Sequence, residues 1–326
     1  MLAYLVRRII NYLILTIIAT LLAYILASYT LNPEARYLGR NPPLNQNSIH
    51  NILAGLGQDP SVPVIQRALT WFGNIIFHGD FGMMYNNQPV LHSIIVRSGI
   101  SLQLLIVGTI LGAFLGVVLG VWGAVRQYRA SDQIVTALSF LVLATPAFVL
   151  GVLLMITATR FNAAVGHQVI SFTGQYTPGL SGTGRILADR VSHLVLPSIA
   201  LIMTGAASYS RYQRSVMLDV LASDFIRTAR SKGRRRGSAM IRHGVRVALI
   251  PMSTFFAYNF GLLVTGSTFL ETVFSWHGMG ELALTSITNH DINGVSGSIC
   301  YVAVLILIAS TLSEVLYAAL DPRVRV

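Results

Sequence analysis

The residues that could carry chemistry are gathered in one polar segment between two apolar stretches. The segment reads DFIRTARSKGRRRGSAMIRH, residues 224–243, and holds five basic residues between Arg230 and Arg236 with a glycine among them. Such a cluster can bind the phosphate groups of nucleic acid or of anionic lipid, or it can mark the cytoplasmic side of a membrane protein. We expect a helix to begin at Asp224, with Ser223 as its N-cap.

The same segment has the pattern of two short helices separated by a glycine. Phe225, Ile226 and Ala229 lie at helical spacing, which gives the first helix an apolar face. Gly233 then interrupts the pattern, and a second run with helical character covers 238–247. Two such helices form a compact knob that can enter a groove on another protein. Periodicity alone leaves an alternative open, in which the segment is only a charged loop that obeys membrane topology rules.

Other chemical motifs are scarce. The sequence contains no Walker A, HExxH, GxSxG or CxxC pattern, so it offers no apparatus for nucleotide hydrolysis or zinc proteolysis. His277 and His290 lie near acids, but their spacing matches no pattern of metal ligands. Cys300 is the one cysteine and cannot form a disulfide within the chain. Glu314 lies near the end of an apolar stretch, which favours an interfacial or helix-pairing role over a proton relay.

Composition identifies the elements that must position the polar segment. Hydrophobic residues make up 53% of the sequence and charged residues 11%, and the mean hydropathy is +0.63, whereas soluble domains carry about 25% charged residues. We therefore expect an all-α membrane protein with one membrane domain over 1–326. A bilayer core of about 30 Å needs about 20 apolar helical residues. Six segments qualify as spans: 9–29, 102–125, 134–158, 194–214, 247–270 and 298–320.

Basic residues predict the orientation of these spans. Six spans place both termini on one side; with that side inside, sixteen basic residues face the cytoplasm and seven lie in the longer outer loops. The positive-inside rule then puts both termini in the cytoplasm. The net charge of +11 therefore reports topology, together with some affinity for anionic lipid, and does not indicate a nucleic-acid partner.

The predicted loops differ in character. An outer insertion covers 31–97, and its amphipathic middle, 62–77, is expected to form a helix at the membrane interface. The second outer loop, 160–193, is rich in Gly, Ser and Thr, so we expect irregular structure there. The third, 271–297, mixes aromatic residues with Gly and His and suits a lid-like or re-entrant segment. The long inner loop, 215–246, contains the polar segment.

Small residues and a proline predict how the spans pack. The run LGAFLGVVLGVWG holds a ladder of glycines at Gly112, Gly116, Gly120 and Gly123, which predicts the close approach of another helix. The ladder could pack within the chain or against a partner subunit, and the sequence does not choose between them. Pro146, in LATPAF, is expected to kink the third span.

The segment 224–251, DFIRTARSKGRRRGSAMIRHGVRVALIP, resembles the cytoplasmic coupling motif, or EAA loop, of permease subunits of ABC importers. In the oligopeptide and dipeptide group this motif has an acid, an aromatic residue, VRTARAKG, a basic stretch, a His, Asn-Ala-Leu and a Pro. The matching residues here are Asp224, Arg227, Thr228, Ala229, Arg230, Lys232, Gly233, His243, Ala248, Leu249, Ile250 and Pro251. Val247 stands where the group usually has Asn, which leaves the expectation of coupling in place.

Further matches extend the resemblance over essentially the whole chain. YLVRRIINYL resembles the amino-terminal start of these permeases, WFGNIIFHGDFGMMY their outer HGDxG signature, ETVFSWHGMGELALTSITNHD the loop before the last span, and YAALDPRVR the carboxy-terminal end. The long first outer loop and the paired arginines near the start suit the B-type subunit of the oligopeptide and dipeptide group. The outer-mouth candidates are His78, Asp80, Phe274 and Trp276.

The resemblance implies the ABC type I importer permease fold, with six transmembrane helices and an extracellular insertion after the first. It implies a heterodimer with a second permease, two ATPase subunits on the cytoplasmic side, and an extracellular binding protein that delivers the peptide. ATP and Mg would be bound by the ATPases, so no catalytic residue, metal or cofactor is expected in this chain. The implied location is the bacterial cytoplasmic membrane. The residues implied to couple ATP to transport are Asp224, Arg227, Thr228, Ala229, Lys232, Gly233 and His243.

Other functions remain as alternatives. A permease of the same architecture could carry nickel chelates or another small solute, because related permeases share these motifs. An ion-driven secondary transporter should show internal inverted repeats and more charged residues within its spans, and neither is evident in the sequence. An intramembrane enzyme should show paired aspartates or a Ser/His arrangement within spans, which the sequence lacks.

Overall fold

The structure is a computed structural model, and it describes residues 2–38, 44–233 and 235–320. Four of the basic residues that predict orientation lie outside those ranges: Arg40, Arg234, Arg323 and Arg325. The YAALDPRVR match also falls outside them from Asp321 onward. The described chain is helical, apart from turns and an isolated antiparallel bridge between Met83 and Pro89. The all-α fold class is confirmed.

The helices, in chain order, are α1 Leu2–Thr30, α2 Gln46–Gly55, α3 Val64–His78, α4 Val90–Val125, α5 Ala130–Ala144, α6 Ala147–Val165, α7 Thr183–Leu221, α8 Asp224–Ser231, α9 Arg236–Ala239, α10 Val245–Val273, α11 Met279–Thr288 and α12 Ile292–Leu320. A 3₁₀ helix at Pro33–Tyr37 follows α1, and a π-helical turn at Met240–Gly244 joins α9 to α10. Among the described residues, six helices are long and apolar enough to cross a membrane: α1, α4, α6, α7, α10 and α12. The prediction of six membrane helices is therefore confirmed.

The chain divides into two compact units. The bundle unit comprises Met1–Leu5, Leu102–Trp276 and Ile308–Val326. The insertion unit comprises Val6–Ser101 and His277–Leu307. The polar segment 224–243, from here on the basic segment, belongs to the bundle unit, and the predicted outer insertion belongs to the insertion unit.

The predicted third span, 134–158, consists of two helices rather than one. α5 ends at Ala144, Thr145 is extended with φ −102° and ψ 122°, and α6 begins after Pro146. Proline disfavours the helical conformation in the residue before it and lacks the N–H that would continue the hydrogen-bond ladder. The expected kink is therefore a complete break, and α6 is the part of this region that is long enough to span.

The helices α4 and α7 extend beyond their apolar runs. α4 begins at Val90 rather than at 102, and α7 covers Thr183–Leu221 rather than 194–214. At 1.5 Å per residue, the 39 residues of α7 are about 58 Å long, roughly twice the thickness of a bilayer core. An apolar run marks the part of a helix that suits a membrane, whereas the backbone hydrogen bonds continue through the polar residues at either end.

The glycine ladder of α4 packs against α7. A Cβ atom on Gly112 would lie 3.4 Å from the Cα atom of Gly205, and one on Gly116 would lie 2.9 Å from the backbone oxygen of Ala206. A side chain at Gly116 would push the two helices apart, because 2.9 Å is shorter than real Cβ contacts allow, whereas a Cβ atom on Gly112 would be in ordinary contact with α7. The ladder therefore packs within the chain, which is one of the two alternatives that the sequence leaves open.

The core of the insertion unit joins the predicted outer insertion to long helices. Tyr24 of α1 stacks on Trp71 of α3 with ring centroids 4.9 Å apart, and both pack with Ile292 and Val295 at the start of α12. The indole Nε1 of Trp71 donates a hydrogen bond to the backbone oxygen of Phe81 at 2.9 Å. The insertion is thus a packed part of the unit rather than a free loop.

The helix expected at 62–77 forms as α3, Val64–His78, and it buries Ala68 and Trp71 in the core of the insertion unit. It exposes the large apolar side chains of Ile65, Leu69 and Phe77, and it buries the charged Arg67. An apolar outer face suits contact with lipid at a membrane interface. The burial of a guanidinium on the opposite face requires an explanation from the site itself.

The two remaining loops that are predicted to lie outside differ from each other. Residues 166–182, between α6 and α7, form turns and bends without a helix, but the prediction of irregular structure is wrong for 160–165 and 183–193, which belong to α6 and α7. The segment expected to be lid-like, 271–297, contains the short helix α11. The side chains of Met279 and Leu282 in α11 pack with buried residues of the insertion unit.

Candidate functional site

The backbone of the basic segment forms a compact knob around one glycine. α8 covers Asp224–Ser231, Gly233 has a φ of +84°, and α9 begins at Arg236. This left-handed conformation is readily available to glycine and strained for most other residues. A Cβ atom on Gly233 would meet nothing within 4 Å, so the requirement comes from the backbone and not from crowding within the chain. The helix predicted over 238–247 runs through the π-helical turn into α10 instead of standing alone.

Two apolar side chains anchor the knob. Ile226 and Met240 are almost completely buried and pack with Met217 and Val220 of α7 and with Ala248 of α10. Burying such a side chain contributes about 1.5–3 kcal/mol relative to leaving it exposed. The knob is therefore fixed to the ends of two long helices, and a force on the knob acts on those helices.

Two charged side chains of α8, those of Asp224 and Arg227, face solvent. The side chains of Asp224 and Arg227 are 94% and 72% exposed, and their atoms Oδ1 and Nη1 are 3.5 Å apart. An exposed pair of this kind contributes little to stability. Phe225 lies between them and is also exposed. Lys232 is exposed after the end of α8. An aromatic ring among exposed charges is a surface that a protein partner could cover.

Two other predicted residues of the segment have local roles. The hydroxyl of Thr228 donates to the backbone oxygen of Asp224 at 2.9 Å, and Ala229 is half-buried beside the anchored face. The hydroxyl of Ser223 donates to the backbone oxygen of Val220 at 2.5 Å, so it satisfies a carbonyl at the end of α7. The expectation that Ser223 caps α8 stays a prediction, because a hydroxyl that donates to Val220 can still accept a hydrogen bond from α8.

The remaining coupling candidate, His243, falls in the π-helical turn at Met240–Gly244. Its side chain lies outside the described residues. The next residue, Gly244, packs closely, since a Cβ atom there would lie 3.2 Å from the Cγ1 atom of Val220. The turn is therefore held tightly against the end of α7.

A salt bridge that the sequence reasoning missed joins α5 to α7 near the basic segment. The guanidinium of Arg214 donates twice to Asp132, with Nε to Oδ1 at 2.6 Å and Nη2 to Oδ2 at 2.7 Å. The backbone N–H of Tyr128 also donates to Asp132 Oδ2 at 3.0 Å. These hydrogen bonds, first of all those from Arg214, hold the pKa of the buried Asp132 below its usual value. An acid among the basic residues of a predicted inner loop is the signal that could have revealed it.

The HGDxG match forms a turn at the end of α3. Gly79 is left-handed, with a φ of +66°, and Asp80 Oδ1 accepts a hydrogen bond from the backbone N–H of Gly82 at 2.8 Å. Gly82 has a φ of +81° and lies against α12, where a Cβ atom would be 2.8 Å from Nδ2 of Asn293. The side chains of His78 and Asp80 are exposed, as outer-mouth candidates should be.

The other two outer-mouth candidates are buried. Phe274 and Trp276 are almost completely inaccessible within the bundle unit, and the ring of Phe274 lies against Gly151. Contact with a solute at an open mouth would require an exposure that neither ring has in this structure. The histidines considered for a metal have separate partners: His277 Nδ1 lies 2.5 Å from Glu281 Oε2, and His290 Nδ1 accepts from the backbone N–H of Asn32 at 3.4 Å.

A buried polar network ties the outer insertion to the start of α12. Asp291 is completely buried and accepts hydrogen bonds from Gln58 Nε2 at 3.1 Å and from the backbone N–H groups of Tyr85 at 2.8 Å and Gly294 at 3.1 Å. Arg36 Nη2 donates to Gln58 Oε1 at 2.8 Å. This network joins residues more than two hundred positions apart in the chain, so no local pattern could have predicted it.

Comparisons with known proteins bear on both regions. The family model described as "Binding-protein-dependent transport system inner membrane component" matches residues 112–326, which include the whole basic segment. The chain is 47% identical to the oligopeptide transport system permease protein OppB of Mycobacterium bovis, over 99% of both chains. It is 30% identical to the oligopeptide transport system permease protein AppB of Bacillus subtilis, over 99% of both chains. It is 29% identical to the glutathione transport system permease protein GsiC of Escherichia coli K12, over 100% of this chain and 99% of that one.

Proposed function

Since the chain belongs to the family of binding-protein-dependent transport system inner membrane components, we propose that it is the B-type permease subunit of an ATP-driven ABC importer for oligopeptides or dipeptides. It is a multi-pass membrane permease and not an enzyme. The proposed direction of transport is into the cell, across the bacterial cytoplasmic membrane, with both termini in the cytoplasm. The excess of basic residues on one side of the six spans supports this orientation.

The proposal rests on one observation: the basic segment is anchored to long helices on one side and exposed to solvent on the other. Ile226 and Met240 fix it to the ends of α7 and α10, while Asp224, Phe225 and Lys232 stay in solvent. A surface held this way can receive a push from another protein and pass it to two long helices. The coupling residues would occupy a cleft in a partner ATPase: Asp224, Arg227, Thr228, Ala229, Lys232, Gly233 and His243.

The proposed mechanism is a rigid-body switch between two arrangements of the permease pair. ATP and Mg bind in the two partner ATPases, whose closure pushes the basic segment and tilts the attached helices. The translocation path, enclosed between this chain and a second permease, then changes from inward-facing to outward-facing. A ligand that binds one arrangement better shifts the equilibrium toward it. An extracellular binding protein delivers the peptide on the outer side.

The names of the relatives support a peptide substrate. Two relatives are named for oligopeptides and one for glutathione, which is itself a tripeptide. Nickel chelates or another small solute remain the alternative cargo for this architecture. Uptake of a labelled tripeptide into proteoliposomes, with competition by unlabelled tripeptide, glutathione and nickel–histidine, separates these substrates.

The experiment that tests coupling uses the complete importer with the substitution Gly233→Asp. We expect normal membrane insertion, with reduced peptide uptake and reduced peptide-stimulated ATP hydrolysis, because aspartate strains the turn and changes the docking surface. Gly179→Asp is the matched control, since Gly179 is also left-handed, with a φ of +87°, and a Cβ atom there would meet no atom within 4 Å. Full transport by Gly233→Asp, or an equal loss in Gly179→Asp, would contradict the coupling assignment.

A further inference from the structure

A cavity of about 430 Å³ opens in the insertion unit between the end of α2, one face of α3, the HGDxG turn and the start of α12. Its volume lies within the range of about 300–1,000 Å³ that is typical of small-molecule sites. The residues that matter for its chemistry are Asp59, Arg67, Trp71, Asn74, Asp80 and Asn293. None of them belongs to the basic segment, and the coupling mechanism does not use the cavity.

Arg67 is the first indication that the cavity binds a ligand. α3 places Arg67, Thr70, Trp71 and Asn74 at helical spacings of three, four and seven, so all four lie on the face that lines the cavity. Arg67 is only 9% exposed, and its Nε is buried without a hydrogen-bond partner. Within the residues that the structure describes, its guanidinium makes no hydrogen bond and no salt bridge, although its charge helps to lower the pKa of the neighbouring Asp59. Burying such a group is costly unless it is paired.

Asn293 is the second indication. It is 1% exposed, and its amide Nδ2 donates both hydrogens, to the backbone oxygens of Leu56 at 2.9 Å and Met83 at 3.0 Å. Its Oδ1 atom is buried without a donor among the described residues. Gly82 packs against the same amide group and holds it in place. The cavity therefore offers one unused donor, on Arg67, and one unused acceptor, on Asn293.

The surrounding charges select the kind of ligand. Asp59 and Asp80 also line the cavity, so two carboxylates accompany the one guanidinium. The backbone N–H of Ser61 donates to Asp59 at 2.9 Å and holds the pKa of that carboxyl below its usual value, so Asp59 stays ionised near neutral pH. A simple anion is repelled by the two carboxylates, and a simple cation leaves Arg67 unpaired. A zwitterion, which carries a positive and a negative group, can pair with the carboxylates and with Arg67.

We propose that this cavity binds a short unblocked peptide, with the carboxylate on Arg67 and an ammonium or amide N–H group on Asn293 Oδ1. Asp59 and Asp80 attract the positive end, and the ring of Trp71 provides an apolar wall. A guanidinium matches a carboxylate with two parallel hydrogen bonds, which explains an arginine at this position. The choice of a peptide rather than a free amino acid rests on the proposed function, while the zwitterion requirement rests on the cavity alone.

The test measures peptide binding to the full chain in lipid nanodiscs, without ATPases or binding protein. The probe is trialanine, followed by tryptophan fluorescence and by calorimetry, with Trp71→Phe to show that the signal arises in the cavity. We expect saturable binding of trialanine and binding at least about tenfold weaker for N-acetyl-trialanine amide, because charge-assisted hydrogen bonds are lost. Phosphate and free alanine serve as the anion and the small zwitterion.

Variants decide whether Arg67 is the reason for binding. Arg67→Gln should weaken trialanine binding at least about tenfold, and Arg67→Lys should restore part of it, because lysine keeps the charge without the fork of donors. Arg160→Gln, which changes an exposed arginine of the bundle unit, is the matched control and should bind like the original chain. Thermal unfolding of each variant checks that the fold is kept.

Several outcomes would overturn the proposal. They are no binding of trialanine by the original chain, equal binding of the blocked peptide, unchanged binding in Arg67→Gln, or phosphate binding as tightly as trialanine. Failure of the proposed function gives a different pattern, since the complete importer would then take up no labelled tripeptide while the cavity would still bind a zwitterion, either trialanine or free alanine. Conversely, peptide uptake by the complete importer without binding to the isolated chain would leave the proposed function intact and refute the cavity.

Discussion

The basic segment of the bundle unit and the HGDxG turn of the insertion unit use their residues in opposite ways. In the basic segment, the buried side chains of Ile226 and Met240 fix the backbone, and the side chains of Asp224, Arg227 and Lys232 stay in solvent. In the HGDxG turn, the left-handed glycines Gly79 and Gly82 shape the backbone, and Asp80 bonds within the turn. The first motif leaves polar side chains exposed on an anchored backbone, whereas in the second motif the aspartate bonds within the turn itself. A sequence match alone does not distinguish the two.

The largest expected effect separates anchoring from presentation within the basic segment. Ile226→Ala leaves a cavity in the core that holds the knob, so it should lower the free energy of unfolding by about 2–5 kcal/mol. Phe225→Ala is the matched change on the exposed side and should alter stability by no more than about 0.5 kcal/mol while reducing peptide-stimulated ATP hydrolysis. Thermal unfolding and ATPase assays of the complex measure both. Equal destabilisation by the two variants would show that the knob has no separate anchor.

The second prediction concerns the polar anchor of the bundle unit. Asp132→Asn leaves Arg214 without its carboxylate, and because Arg214 is partly exposed we expect a loss of about 2–3 kcal/mol, below the range for a completely buried pair. Asp219→Asn, at an exposed acid of α7, is the control and should have little effect.

The same salt bridge predicts a pH dependence of stability. The pKa of Asp132 is lower in the folded chain, so its contribution is present above the unfolded value of about 3.9 and is lost as the pH falls below that value. Thermal unfolding between pH 7 and pH 3 should therefore converge for the original chain and Asp132→Asn at the acid end. A constant difference across that range would contradict the assignment of the stabilising charge to Asp132.

The third prediction compares a glycine from each region. Gly82→Ala requires a left-handed alanine and also pushes against Asn293, so it should cost about 1–3 kcal/mol. Gly233→Ala meets only the backbone penalty, about 1 kcal/mol, because no atom lies near its Cβ position. Gly233→Asn should cost less than Gly233→Ala, since asparagine tolerates the left-handed region. A larger thermal destabilisation from Gly233→Ala than from Gly82→Ala would reverse the comparison.

Much of the fold follows from patterns that are local in sequence. Apolar run length predicts the six long helices, the spacing of small residues predicts the close approach of α4, and Gly233 predicts the break in the knob. Each depends on residues within one or two turns of a helix. Pro146 predicts a kink, whereas the structure shows a complete break between two helices. A proline can produce either one, and its local sequence does not decide between them.

The features that the sequence did not predict join distant parts of the chain. Asp132 and Arg214 are eighty-two positions apart, and Gln58 and Asp291 are farther still. The sequence also did not predict which of these side chains are buried. In the sequence, Arg67 is one charged residue in a polar loop, but α3 places its side chain in the interior of the insertion unit. The aromatic rings of Phe274 and Trp276, which are expected at an outer mouth, are also buried. Such contacts are set by packing between elements, which periodicity does not encode.

The smallest expected effect tests whether Asp80 shapes the turn, attracts a ligand, or does both. Asp80→Ala removes the hydrogen bond from the backbone N–H of Gly82 and should lower stability by about 0.5–1 kcal/mol, at the low end because the side chain is exposed. Asp80→Asn keeps an oxygen that can accept this bond but removes the charge, so thermal stability should return nearly to that of the original chain. Trialanine binding should nevertheless stay weaker in both variants, because both lack the carboxylate that attracts the ammonium group. If Asp80→Asn restored binding as well as stability, Asp80 would act only through the shape of the turn, and the selection of a zwitterion would depend on Asp59 alone.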